Sequence, residues 1–187
     1  MGYSLNILQT QIPDLVLAET RPYADSRGAF SRLYCKRELS SVIGSRQIVQ
    51  VNISSTGSVG AVRGMHFQHA PHAEMKLVRC LKGRVWDVAV DLRANSPTFL
   101  KWHAQELSHA NAKMIVIPEG FAHGFQVLEP DSELLYLHTE FYERQSEGGL
   151  RYNDPKFEIN WPLPITDLSD RDAKHPLIDS SFQGLKV

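Results

Sequence analysis

Short runs of β-branched and alternating apolar residues recur along the whole chain, parted by Gly, Pro, Asn and Ser. Many short strands at near-regular spacing belong to an antiparallel sandwich or barrel; a βαβ fold needs long helical stretches between its strands. The runs that predict strands are Leu15–Ala18, Ala29–Tyr34, Ile48–Ile53, Ala61–Gln68, Met75–Leu81 and Arg84–Asp91. Phe99–Leu107, Lys113–Ile117, Gly124–Leu128 and Glu133–Phe141 continue the series. Helical pattern is confined to two places. Lys36–Ile43 predicts a short helix ended by Gly44, and Ser169-Asp170-Arg171-Asp172 predicts a helical turn capped by Ser169. With no internal repeat or linker, the 187 residues are expected to form one domain spanning 1–187. Trp161-Pro162-Leu163-Pro164 is too short to divide domains and is expected to pack across the barrel.

Charge and cysteine content narrow the function. Twenty basic and 21 acidic side chains give a net charge of −1, and a duplex-binding surface needs a basic excess, so no nucleic-acid partner is expected. Cys35 and Cys80 cannot make a disulfide framework or a four-thiolate zinc site. The opening MGYSLNILQT lacks a signal-peptide pattern, and Asn6 breaks the acylation pattern that Gly2 would begin. No apolar run approaches the roughly 20 residues that span a bilayer. A cytoplasmic protein without membrane attachment is expected.

Two segments carry chemistry. The first is Gly60-Ala61-Val62-Arg63-Gly64-Met65-His66-Phe67-Gln68 with Glu74-Met75-Lys76 after it; the second is Ile117-Pro118-Glu119-Gly120-Phe121-Ala122-His123-Gly124-Phe125. On a regular strand Arg63 and His66 would face opposite ways, and a bulge at Gly64 would bring both inward. Gln68, Glu74 and Lys76 share the parity of His66. Several polar groups on an inner wall imply a ligand cavity, because burying them without partners is costly. Both segments resemble the two cupin motifs, with Gln68 in place of the second histidine of metal-binding cupins. Gln is a poor ligand for zinc or iron. His69 and His72 flank Pro71 in a loop, where histidines are more often solvated than ligating. No metal and no other cofactor is expected. Without metal, a neutral imidazole at His66 is a base suited to pH 7, and Lys76 and Arg63 are cations for an enolate oxygen or a phosphate. Tyr136, on another strand, would be a second proton carrier. Taken alone, a histidine or tyrosine on a strand is usually packing; the case rests on the combination.

Read together, the residues are similar to the dTDP-4-dehydrorhamnose 3,5-epimerase family. The matching stretches include Asp25-x-Arg27-Gly28-x-Phe30, Gln50-x-Asn52-x-Ser54, Arg63-Gly64-Met65-His66-Phe67-Gln68, Lys76-Leu77-Val78-Arg79 and Ser96-Pro97-Thr98-Phe99. They continue through Asn153-Asp154-Pro155, Trp161-Pro162 and Leu168-Ser169-x-x-Asp172 in one order. The resemblance implies an all-β, cupin-like jelly-roll β-barrel with short peripheral helices, a homodimer, and a nucleoside-diphosphate 4-keto-6-deoxysugar inverted at C3, C5 or both in deoxysugar biosynthesis for O-antigen or a similar glycan such as lipopolysaccharide. By position it implies His66 as base, Asp172 as its orienting carboxylate and Tyr136 as proton donor. Lys76 and His123 would lie at sugar oxygens. Arg63, Gln50 and Asn52 would hold sugar and diphosphate, and Glu147 and Arg171 the nucleotide. Arg27 would reach a nucleotide across the dimer interface. Asp87, Asp91 and Arg93 fit the pattern too but read better as a structural turn network.

Departures from the family touch specificity. Arg32 stands where Glu is common, Glu74 and Met75 where Gln and a small residue are common, and Phe141 where Tyr is frequent. They leave the nucleotide, thymidine or another such as cytidine, open. Two other classes compete: a metal-dependent cupin enzyme, and a non-catalytic sugar-nucleotide binding barrel.

Overall fold

The computed structural model describes residues 5–187; Gly2, where the acylation pattern would begin, lies outside them. Among the described residues, thirteen strands and two one-turn helices follow one another. The strands are β1 (Leu5–Gln9), β2 (Val16–Thr20), β3 (Tyr23–Asp25), β4 (Gly28–Phe30), β5 (Gln50–Thr56), β6 (Val62–Gln68) and β7 (Lys76–Lys82). Then come β8 (Arg84–Asp91), β9 (Trp102–Ser108), β10 (Lys113–Ile117), β11 (Phe121–Val127), β12 (Ser132–His138) and β13 (Glu147–Gly149). The helices are α1 (Ser40–Ile43) and α2 (Asp170–Ala173).

Two antiparallel sheets face each other, ordered β1-β2-β10-β7-β12-β5 and β13-β6-β11-β8-β9, with β3 and β4 forming a separate hairpin. Neighbours in the sheets are rarely neighbours in sequence, so the chain crosses repeatedly from one sheet to the other, as in a jelly roll. This is the expected fold.

Apolar layers explain why the central strands read as near-continuous hydrophobic runs. Between the sheets, Val78, Cys80, Ile115 and Leu134 meet Val85, Ala89, Phe125 and Val127. Outside the six-stranded sheet, α1 contributes Ile43 to a layer with Val16, Leu77, Met114 and Val116. Outside the other sheet, Leu150, Phe157, Ile159 and Ile178 from the carboxy-terminal third cover Met65, Val88 and Val90. At roughly 1.5–3 kcal/mol per fully buried aliphatic side chain, these layers dominate the folding drive. Trp161-Pro162-Leu163-Pro164 does pack on the barrel: Leu163 exchanges bonds of 2.8 and 3.0 Å with the amide of the fully buried Gln126 on β11.

Ala29–Tyr34 yields only β4, which turns back on β3, and Phe99–Leu107 begins three residues late. There Thr98 and Ser96 donate to the Asp91 carboxylate and hold the chain in a turn. Glu133–Phe141 stops at His138, beyond which the chain bends towards Gln68. Among the described residues, no helix is long and apolar enough to cross a membrane.

Candidate active site

The interior is filled at one end by the apolar layer and is open at the other as a cavity of about 610 Å³. Every residue expected to act in catalysis or substrate binding, Arg27 excepted, lines it. His66 pairs across the sheet with His123, but Arg63 pairs with Phe125, so three steps on β6 match two on β11. The extra residue is the bulge expected at Gly64. Its φ of 133° lies where side chains are rarely tolerated, and a Cβ there would stand 2.5 Å from Gly124 Cα. Arg63 and His66 therefore line the same cavity despite their opposite parity.

Ser169 caps α2 by accepting from the Asp172 amide at 3.1 Å, as expected, and this turn carries Asp172 to β6. Its Oδ2 accepts from the Gly64 amide at 3.1 Å and its Oδ1 lies 2.8 Å from His66 Nε2. Burial pushes the Asp172 carboxyl up, but the bond from His66, the Gly64 amide and the Arg171 guanidinium together hold it at about 2. It is a carboxylate at any working pH. A 2.8 Å contact with a carboxylate requires a proton on Nε2, which fixes the tautomer and leaves the Nδ1 lone pair basic. Nδ1 has no hydrogen-bond partner among the described residues. Arg171, 3.3 Å from Nε2, is then a neighbouring cation and not a donor to it.

The facing wall comes from the other sheet. Tyr136 sits on β12 opposite Asn52 of β5, and its hydroxyl is 3.1 Å from Ser54 Oγ. Burial against the apolar layer pushes the Tyr136 phenol far up, the Ser54 bond only partly opposing it. The walls meet where the Tyr136 and His123 rings stand edge to face, 6.2 Å apart. His123 Nε2 is 2.9 Å from the wholly buried Asp87, whose carboxyl is pushed up by burial although His123 pulls it down. Next along the wall, Glu74 binds His138 Nδ1 at 2.6 Å and Lys76 Nζ at 3.2 Å. Its burial raises its pKa, but these two partners outweigh that and leave it below the ordinary range. Lys76 Nζ also donates to the His66 carbonyl at 3.3 Å. At the mouth, Arg171 pairs with Glu147 at 2.9 Å, and Tyr142 donates to the same carboxylate at 3.1 Å.

An imidazole held by a carboxylate and a protonated phenol thus line one cavity from two different sheets, and Arg63 and Lys76 line it with them. Comparison with known proteins shows the family. A profile of the dTDP-4-dehydrorhamnose 3,5-epimerases matches residues 9–180. The chain belongs to the dTDP-4-dehydrorhamnose 3,5-epimerase family. The Shigella flexneri epimerase is 41% identical over 180 residues, covering 95% of this chain and 99% of its own. A crystal structure of the Elizabethkingia anophelis epimerase superposes with a TM-score of 0.90 at 38% identity, covering 96% of this chain and all of its own. The Legionella pneumophila enzyme, solved in complex with dTDP-4-keto-L-rhamnose, also gives 0.90, at 37% identity and 98% and 99% coverage. As a member of this family the chain is an isomerase with the cupin-like jelly roll.

Within this epimerase fold, Arg27 is the residue the structure does not bring to the cavity. It sits at the tip of the β3–β4 hairpin, almost fully exposed and tied to Asp25 at 2.6 Å. Of the residues that depart from the family pattern, Arg32 pairs with Glu38, and the Phe141 ring is exposed while Tyr142 lines the cavity. The Gln68 amide nitrogen donates to the His72 and Phe141 carbonyls, and its oxygen accepts from the Glu143 amide. Both ends of the side chain are thereby spent on loops and neither is free as a ligand.

Asp87 corrects the reading from sequence. It takes no part in the turn network, which joins Asp91, Arg93, Ser96, Thr98 and Asp14; it backs His123. The sequence does not mark out His138, Tyr142 or His175, and it carries Ser54 only as the end of the stretch Gln50-x-Asn52-x-Ser54, with no role. Parity offered a signal for Ser54 and His138, which continue the inward rows of Gln50–Asn52 and Tyr136.

Proposed function

We propose that this enzyme epimerises a nucleoside-diphosphate 4-keto-6-deoxyhexose through an enolate, with His66 as base and Tyr136 as acid. The observation that carries the reading is that the two proton carriers stand on opposite walls of one cavity, because inversion removes a proton from one face of the ring and returns it to the other. His66 Nδ1 takes the proton beside the ketone, and Asp172 stabilises the imidazolium that forms. Lys76, and His123 held by Asp87, stabilise the oxyanion. Arg63, Gln50 and Asn52 bind sugar and diphosphate, and Glu147 with Arg171 the nucleotide at the mouth. None of these steps uses a metal.

The Shigella flexneri relative is named for dTDP-4-dehydrorhamnose, and the Legionella pneumophila structure holds dTDP-4-keto-L-rhamnose; a thymidine sugar is accordingly the first substrate to test. The active form is a homodimer. Exposed Tyr23 and Phe30 on the hairpin and exposed Val51 and Ile53 on edge strand β5 favour a covered face, and Arg27 on the same hairpin would then serve the partner's cavity. The chain acts as one domain, in the cytoplasm, without nucleic acid.

The test is a panel of nucleoside-diphosphate 4-ketosugars in deuterated water. Deuterium is expected at C3, C5 or both of one sugar, and His66→Ala should abolish exchange in a protein that remains folded. Exchange surviving in His66→Ala refutes the base, and binding without exchange for every sugar identifies a non-catalytic barrel.

A further inference from the structure

Behind the His66–Asp172 pair lies a histidine that the proposed reaction does not use. His175 follows α2, and its position is built into the fold: Arg151 Nε donates to its carbonyl at 3.0 Å. Gly149, opposite His66 on β13, leaves room for its ring; a Cβ there would come within 2.2 Å of His175 Cε1. The two imidazoles stand edge to face with centroids 5.6 Å apart. His175 Nε2 is buried with no hydrogen-bond partner, and it points at the Asp172 oxygen that His66 uses, 3.6 Å away. A buried polar atom without a partner calls for an explanation.

We propose that His66, Asp172 and His175 form a binding site for a divalent transition cation, Zn²⁺ above all, and that a cation bound there switches the enzyme off. One ligand atom from each of the three side chains lies within 4.8 Å of the others. Zinc holds imidazole nitrogen and carboxylate oxygen at about 2.0–2.2 Å, so tetrahedral ligand atoms sit roughly 3.3–3.5 Å apart. The present separations of 2.8 and 3.6 Å from Asp172 Oδ1 bracket that spacing, so small side-chain movements suffice. Two imidazoles and a carboxylate are the donor types zinc prefers. Only His66 belongs to the cupin motif, so this is not the ligand set of metal-binding cupins. His175 also lines a second cavity, shared with His69 and Gly148, which gives a cation a way in that does not cross the sugar cavity.

The groups that face the site are Arg171, Glu147 and the ligands themselves. Arg171 is the competitor. It is half exposed and tied to Glu147, so it can swing outward. A zinc ion taking the Nε2 lone pair shifts the ring to its other tautomer, with the proton on Nδ1, and Nδ1 can then no longer act as base. This last step rests on the reading of His66 given above; binding of the cation does not.

The test uses chelator-treated enzyme titrated with Co²⁺, read by visible absorption, and with Zn²⁺, read by solvent deuterium exchange into a 4-ketosugar. One equivalent of Co²⁺ should give the bands of a four-coordinate site, and Zn²⁺ should lower exchange at least tenfold, reversibly with chelator. His175→Gln should lose the bands and weaken Zn²⁺ inhibition by about tenfold or more, losing one of three ligands, while keeping metal-free exchange. The double variant His69→Gln, His72→Gln should behave as wild type. In the unaltered protein, ¹⁵N-labelled histidine spectra should show Zn²⁺ shifting the ring nitrogens of His66 and His175. Absent bands, bands and inhibition unchanged by His175→Gln, or both abolished in the loop double variant overturn the site. Co²⁺ bands that depend on His175 without loss of exchange uphold the site and overturn His66 as the base.

Discussion

Asp172→Asn separates the orienting role of the carboxylate from the shape of the pocket. Asp172 accepts twice, from Gly64 N and from His66 Nε2. An amide has one acceptor. If its oxygen keeps the Gly64 bond, its NH2 faces His66, which must accept at Nε2 and carry its proton on Nδ1, the atom needed as base. The variant also loses the charge that stabilises the imidazolium. With charges about 4 Å apart and an effective dielectric of about 20, that attraction is about 4 kcal/mol. Part of it is already present in the resting hydrogen bond, worth about 1.5–3 kcal/mol. What remains for the transition state, together with the tautomer penalty, amounts to a loss of about a hundred- to a thousandfold in kcat. KM should stay within about threefold, since Asp172 lies behind the imidazole and not against the sugar. The assay is single-turnover deuterium uptake from solvent, with thermal melting to show that α2 still docks. A kcat within tenfold of wild type would refute the pairing as the source of basicity.

Tyr136→Phe should leave exchange measurable while inversion falls by at least about a hundredfold, the usual scale of general acid catalysis; full inversion excludes Tyr136 as donor. Because burial raises its pKa, Tyr136 stays protonated as pH climbs past the ordinary tyrosine value. The kcat profile should therefore show no alkaline fall due to this group below about pH 10, and a fall there that vanishes in Tyr136→Phe would contradict the assignment. Glu74→Gln removes a buried carboxylate bonded to His138 and Lys76 and should cost about 2–3 kcal/mol, roughly 4–12 °C in Tm for a domain of this size. Since the folded pKa of Glu74 is depressed, its stabilisation is full above about pH 4.3 and fades as pH falls through the folded value. The Tm gap should accordingly shrink in acid; a gap that widens there reverses the sign and refutes the argument.

The strands could be read where packing acts locally. Arg84–Asp91 and Lys113–Ile117 emerge with their expected bounds because both faces of β8 and β10 are covered and most of their residues are β-branched or apolar. Glu147-Gly148-Gly149 gives no such signal, since Gly is a poor strand former. Its strand exists because β6 offers an edge there and because Gly149 must clear the His175 ring. The hairpin of β3 and β4 is likewise set by a turn at Ser26–Arg27 and by no covered face.

The site divides along the same line. His66 and Arg63 were legible because one glycine sets the bulge, a local cause visible in six letters. Asp172 was found only through resemblance, since nothing in its own surroundings says that it meets a residue 106 positions away. Asp87 misled for a related reason. Its spacing from Asp91 and Arg93 matches a turn network on a strand, yet the diagonal partner that decides its role, His123, comes from β11. Parity assigns a face to each side chain, but only the order of strands in the sheet says which other side chain shares it. Here that order is β6-β11-β8, and it sets His66, the proposed base, beside the Asp87–His123 pair. An oxyanion formed when His66 draws a proton would thus arise within reach of an imidazole whose buried carboxylate has no solvent to share its charge with.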